Sequence, residues 1–200
     1  MLTSISPLGE RARGHRWQTT VAWFITGAVV GGLIQGFAAG AIGLGVGVRS
    51  LHPLTAAVVV GVVAAVGVSA DLKLGGLILP SPHRQVNERW LDRYRPWLYA
   101  SGFGLQLGLG AATQVYLAAT YLVLVAALFS GSLAVGALIG GIFGLARGMS
   151  ILVVAHVTSF EDLANVSRRL AARAVPARRL AVLSEGVLAM ALVVLLAVTL

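Results

Sequence analysis

PWLYASGFGLQLGLGAATQVYLAATYLVLVAALFSGSLAVGALIGGIFGLA, residues 96–146, runs for fifty-one residues without a charged side chain. Arg147 follows, and then eight more uncharged residues to Ala155. A helix rises ~1.5 Å per residue and a bilayer core is ~30 Å thick, so one crossing needs about 20 apolar residues. The stretch is long enough to cross twice, turning where Phe129-Ser130-Gly131-Ser132 interrupts it. It predicts an integral membrane protein.

Composition agrees. At 58% hydrophobic and 11% charged, the chain lies outside the range of soluble domains. Its 25 glycines would weaken soluble helices, whereas in lipid small residues let helix backbones approach. The absence of cysteine removes disulfides, thiolate metal sites and thiol redox chemistry. The net charge of +8 raises nucleic acid as a partner. The basic residues are instead dispersed in short segments between apolar runs, which argues for membrane loops touching anionic lipid headgroups. Arg11, Arg13 and Arg16 precede an apolar run in the manner of a signal peptide. That run, Val21 to Val48, is 28 residues long, well beyond the roughly 7–15 of a cleavable core, so it reads as a retained span.

The resulting fold class is an all-α polytopic membrane protein with five transmembrane helices. Span one covers Thr20 to Val46 and span two Leu54 to Leu79, with a turn at Arg49-Ser50-Leu51-His52-Pro53. Spans three and four occupy 98–128 and 133–155, and span five closes the chain over 180–200. A sixth span would fit if 98–128 is broken or re-entrant. Three polar segments carry Arg11, Arg13 and Arg16; Arg84, Arg89, Arg93 and Arg95; and Arg168, Arg169, Arg173, Arg178 and Arg179. Those are 12 of the 15 cations, all on one side in a five-span topology. Positive loops stay cytoplasmic, so the N-terminus is placed in the cytoplasm and the chain in the plasma (inner) membrane. Both later segments read as amphipathic helices at the membrane surface. Val86, Trp90, Tyr94 and Trp97 share a face in the first, and Thr158 to Asp162 offers a capping box in the second.

The two halves resemble each other. Gly31-x3-Gln35-x3-Ala39 is matched by Gly102-x3-Gln106-x3-Gly110, and each pair of spans leads into a basic segment. The expectation is one membrane domain made of two repeat units, 1–97 and 98–200, the second including the closing helix.

Four sets of residues are candidates for function. Gly136, Gly140, Gly144 and Gly148 lie on one helical face and predict either plain helix packing or the lining of a path. Gln35 and Gln106 are amides within apolar spans, which need hydrogen-bond partners in hydrocarbon and serve as glue or as substrate contacts. Thr113, Gln114, Thr120 and Tyr121 make span three the most polar. Asp71, Lys73, Arg147 and Glu185 are ionisable residues inside spans, which snorkel, pair or form an anion port, with Arg147 and Lys73 as its cations. The histidines are dispersed, and no metal-ligand spacing, Walker loop or nucleophile setting is present. Neither enzyme activity nor a cofactor is expected.

The glycine-rich openings Gly36 to Gly47 and Gly102 to Gly108 resemble those of small duplicated transporters of the sulfite-exporter type. Gly140 to Gly148 is similar to a segment of the CcdA/DsbD transmembrane domain, whose paired cysteines this chain lacks, so its electron relay is not implied. The resemblance implies a small exporter-like architecture. Together with the polar residues in the spans, it leads to two functional expectations. The first is an exporter of a small polar or anionic solute, with Gln35, Gln106, Thr113, Gln114, Asp71, Lys73 and Arg147 as contacts. The second is a non-transporting accessory subunit that assembles a larger membrane complex, or a homo-oligomer, through its glycine faces and amphipathic segments.

Overall fold

The computed structural model describes residues 5–72, 93–110 and 119–198, which contain helices and no strand. In chain order the helices are α1 (Pro7–Ala12), α2 (Trp17–Gly45), α3 (Pro53–Asp71), α4 (Pro96–Gly108), α5 (Ala119–Phe129), α6 (Leu133–Met149) and α7 (Phe160–Val198). Short 3-10 turns occupy Val48–Ser50 and Ser150–Val154. Among the described residues, three stretches are long and apolar enough to cross a membrane: Trp17–Gly45, Leu54–Asp71 and Leu133–Val154.

The bundle is built on α2, although the longest uncharged run in the sequence lies elsewhere. Glycines on α2 fall into two stripes, and each admits a neighbouring backbone. On one side α6 runs antiparallel to it. A methyl group added at Gly32 would strike the Gly140 carbonyl, one at Gly36 the Gly136 carbonyl, and one at Gly40 the Ser132 carbonyl. From α6, Gly144 meets the Ala28 carbonyl and Gly148 packs on Ala28 and Ile25. On the other side α4 runs parallel, with Gly27 against Ser101, Gly31 against Leu105, and Gly104 and Gly108 against Phe24 and Ala28. Small residues at a four-residue step are what allow backbones this close.

Beyond α4, the far end of α2 is flanked by α5, where Gly43 meets Leu128. The two turns at that end touch, since Gly131 (φ 53°) leaves room for the Arg49 side chain. Gly131 needs that left-handed backbone before Ser132 caps α6 by accepting from Val135 N. The opposite end is closed by a core of Ile5, Val21, Phe24, Tyr99, Ala100, Phe103, Ile151, Val154, Val157 and Val166. Residues before α2, at the start of α4, after α6 and at the start of α7 therefore meet at one end. Arg11, Arg16, Arg93, Arg95, Arg168, Arg169 and Arg173 are exposed there or along the adjoining helix. Trp23 and Trp97 stand beside this end with ring centroids 6.2 Å apart.

One expectation changes, and another is not confirmed. The polar segment 156–179 and the closing span from Leu180 are not separate: α7 is one 39-residue helix with Pro176 inside it. Ala, Arg and Leu surround Pro176, and such strong helix formers carry a helix past the one backbone bond a proline removes. The expected repeat partners also differ in build, since α2 has 29 uninterrupted residues and α4 has 13. Most of the amphipathic segment 81–97 lies outside the described residues, as does the end of span two.

Candidate functional site

Two polar clusters interrupt the apolar bundle. The first is at the closed end and begins with α1. Ser6 caps this helix by accepting from Gly9 N at 3.1 Å, and Pro7 occupies its first turn. The short helix turns Glu10 inward, where its side chain is fully buried. Oε1 accepts from Arg13 Nη2 at 2.6 Å, and Oε2 accepts from Thr20 Oγ1 at 2.7 Å. The Tyr99 hydroxyl lies 2.8 Å from both oxygens, and His15 Nδ1 is 3.7 Å from Oε2. A carboxylate so surrounded has its lone pairs filled by charge-assisted hydrogen bonds, leaving none to act on a substrate. Its work is to tie α1 to α2 and α4. Nothing in the spacing of Glu10, Thr20 and Tyr99 announces this cluster, because Tyr99 lies 89 residues from Glu10. The one signal is an acidic residue alone in an otherwise basic leader.

The second cluster lies at the centre of the Val21–Val48 run. Gly110, just past the end of α4, has its empty side-chain position bounded by three groups. These are Thr120 Cγ2 at 2.9 Å, Phe143 Cε1 at 3.1 Å and Gln35 Oε1 at 3.2 Å. The end of α4 and the beginning of α5 thus meet beside Gln35. On the Phe143 face lies Arg147, with Cζ 5.4 Å from the ring centroid. Gln35 Oε1 and Arg147 Nη1 are both buried, and neither has a hydrogen-bond partner.

The structure brings together only some of the residues singled out from the sequence. Gln35, Thr120 and Arg147 share the neighbourhood of Phe143. Gln106 does not join Gln35: α4 meets α2 through Ser101, Gly104, Leu105 and Gly108, and Gln106 is turned about 100° away from Leu105. Asp71 is buried at the end of α3. Gly136, Gly140, Gly144 and Gly148 are all buried, and their side-chain positions are filled by α2. Lys73, Thr113 and Gln114 lie outside the described residues, as does the side chain of Glu185. Among the described residues no group of His, Asp and Glu could hold a metal ion.

No protein-family model matches the chain, and no solved structure matches it. It is similar to the methylamine utilization protein MauF of Paracoccus versutus, with 33% identity over 158 residues that cover 76% of this chain and 57% of the relative. The MauF of Paracoccus denitrificans is 31% identical over 155 residues, covering 76% of this chain and 56% of the relative. The chain thus spans just over half the length of these relatives.

This similarity overturns the exporter reading. The relatives are named for methylamine utilization and not for transport, which favours the accessory-subunit expectation over export of a polar or anionic solute. The resemblance to sulfite exporters and CcdA/DsbD gains no support from these comparisons. The physical reason for the error is visible in the glycines. A stripe of small residues looks the same in sequence whether it lines a path or seats a backbone, and here α2 fills it.

Proposed function

We propose that this chain is a non-transporting, multi-pass membrane accessory protein of methylamine utilisation that helps to assemble or hold a larger complex. The observation that carries this reading is the similarity to two MauF proteins over three quarters of the chain. The glycine-packed core supports it, because backbones in direct contact leave little freedom for the rocking of two halves that alternating access requires. The two polar clusters are compatible with it, since in one the buried carboxylate is taken up as a structural tie.

Within this reading the chain crosses the plasma (inner) membrane five times, with its N-terminus in the cytoplasm. Helices α2, α3 and α6 supply three crossings. The fourth is a pass that α4 begins and α5 completes along α2, and the fifth is the second half of α7. The meeting of four segments at one end, together with the exposed arginines there, supports that arrangement.

The test is complementation. A Paracoccus denitrificans strain without MauF is given this chain, or this chain fused to the part of MauF it does not cover. Growth on methylamine, with growth on other carbon sources unchanged, is the expected result. Failure of both forms, despite their insertion in the membrane, removes the reading.

A further inference from the structure

We propose that Arg147 binds a carboxylate brought to it from outside the chain. Its starting point is the direction the guanidinium takes. Arg147 lies seven residues before the end of the apolar stretch Leu133–Val154, where an arginine can snorkel toward the nearer water phase. It turns the other way. Its Cζ lies over Phe143, one turn back toward the middle of the bundle, as the N-terminal tilt of helical side chains allows. The neighbouring Gly148 packs on Ile25 and Ala28, so Arg147 stands about 12 Å along α2 from Trp17 at ~1.5 Å per residue.

At that depth Nη1 is buried and has no acceptor. The Phe143 ring attracts the cation but provides no oxygen for its N–H groups. Four acidic side chains are described, Glu10, Asp71, Glu161 and Asp162, and none is paired with Arg147. Glu10 is taken up by Arg13, Thr20 and Tyr99. Gln35 Oε1, which with the Phe143 ring bounds the space at Gly110, is also buried without a partner. A guanidinium keeps its charge in any surroundings, and ionisable residues at membrane depth pair or bind. The planar fork fits a two-oxygen anion, and the one carried by protein side chains and small acids alike is a carboxylate. It has two sources, a small free acid or an acidic side chain on a membrane helix of an assembled partner. The second rests on the assembly reading above. Binding requires no passage across the membrane.

The full chain, purified in detergent or placed in phosphatidylcholine vesicles, tests both sources. Acetate and succinate are the free probes, read by the rise in melting temperature over the same concentration of chloride. The helix probes are leucine-rich single-span peptides carrying one Asp or only Leu at the depth of Arg147, read by energy transfer. The expected result is that at least one carboxylate probe binds tenfold or more better than its control. Arg147→Gln loses that preference and Arg147→Lys keeps part of it. Preference for the free acids assigns the first source, and preference for the Asp peptide the second. The proposal is overturned if no carboxylate probe exceeds its control, or if Arg147→Gln, folded by circular dichroism, binds as well as the parent. Complementation is scored separately. Growth without carboxylate binding removes this site and keeps the accessory reading, and binding without growth does the reverse.

Discussion

The fully buried Glu10 shows how much one residue can organise. Three donors, Arg13, Thr20 and Tyr99, from three segments hydrogen-bond its two oxygens, so removing any one leaves a buried charge short of a partner. Hydrogen bonds to charged groups contribute about 1.5–3 kcal/mol each. Tyr99→Phe keeps the ring in the core and deletes only the hydroxyl, and it is expected to destabilise the protein by about that amount. Thr20→Ala should cost less, and the double variant less than the sum of the two, because both donors serve one carboxylate. Thermal unfolding in detergent measures all three. Strict additivity would show that the hydroxyls do not act through Glu10. Gln35 and Arg147 pose a different case, since Gln35 Oε1 and Arg147 Nη1 are buried without partners. Their residue types in an apolar run were readable as sites of interest. Their convergence on Phe143 was not, because 112 positions separate Gln35 from Arg147.

At the scale of elements, the glycines on α2 and α6 are interchangeable in sequence and unequal in structure. Gly140→Leu is expected to prevent α6 from seating on α2, since even a methyl group there meets the Gly32 carbonyl and the Gly36 backbone. Gly186→Ala in α7 meets nothing within 4 Å and should be neutral or stabilising by up to about 1 kcal/mol. Equal behaviour of the two variants in folded yield and melting temperature would refute the interlocked packing. The start of α7 makes a pH prediction. The capping box read from the sequence is present, with Asp162 N donating to Ser159 Oγ at 3.1 Å and Ser159 N donating to Asp162 Oδ2 at 3.0 Å. The hydrogen bond with the Ser159 side chain, followed by the Thr158 backbone N–H, holds the Asp162 carboxyl below the usual carboxylate range. A lowered value in the folded state means the cap contributes above the ordinary carboxylate pKa of about 3.9 and is lost as pH falls through the lowered one. Amide exchange in the first turn of α7 should therefore accelerate below about pH 4 in the parent. Asp162→Asn should remove that acceleration.

For the whole molecule, the decisive quantity is which segments share an end. The contact of Arg49 with Gly131 puts two turns at one end, and the core from Ile5 to Val166 gathers four segments at the other. Cysteine labelling from outside intact cells should therefore modify variants at Ser50 and Ser130 and spare one at Asn165. Labelling of Asn165 together with Ser50 would break the five-crossing arrangement. The same geometry accounts for the functional correction. An interlocked trio of α2, α4 and α6 has the build of a scaffold, and the MauF relatives point away from export.

Hydropathy is a sum over neighbouring residues, so the sequence by itself determined the helical class and the apolar lengths of α2, α3 and α6. The cap of α7 was legible for the same reason, since its partners lie within four residues. Pairing across the bundle depends on how helices rotate about their axes, which a uniformly apolar helix does not encode. Only the tertiary structure could therefore make α2 the hub and bury Glu10 against Tyr99. It alone turned Gln106 away from Gln35 and aimed Arg147 inward over Phe143.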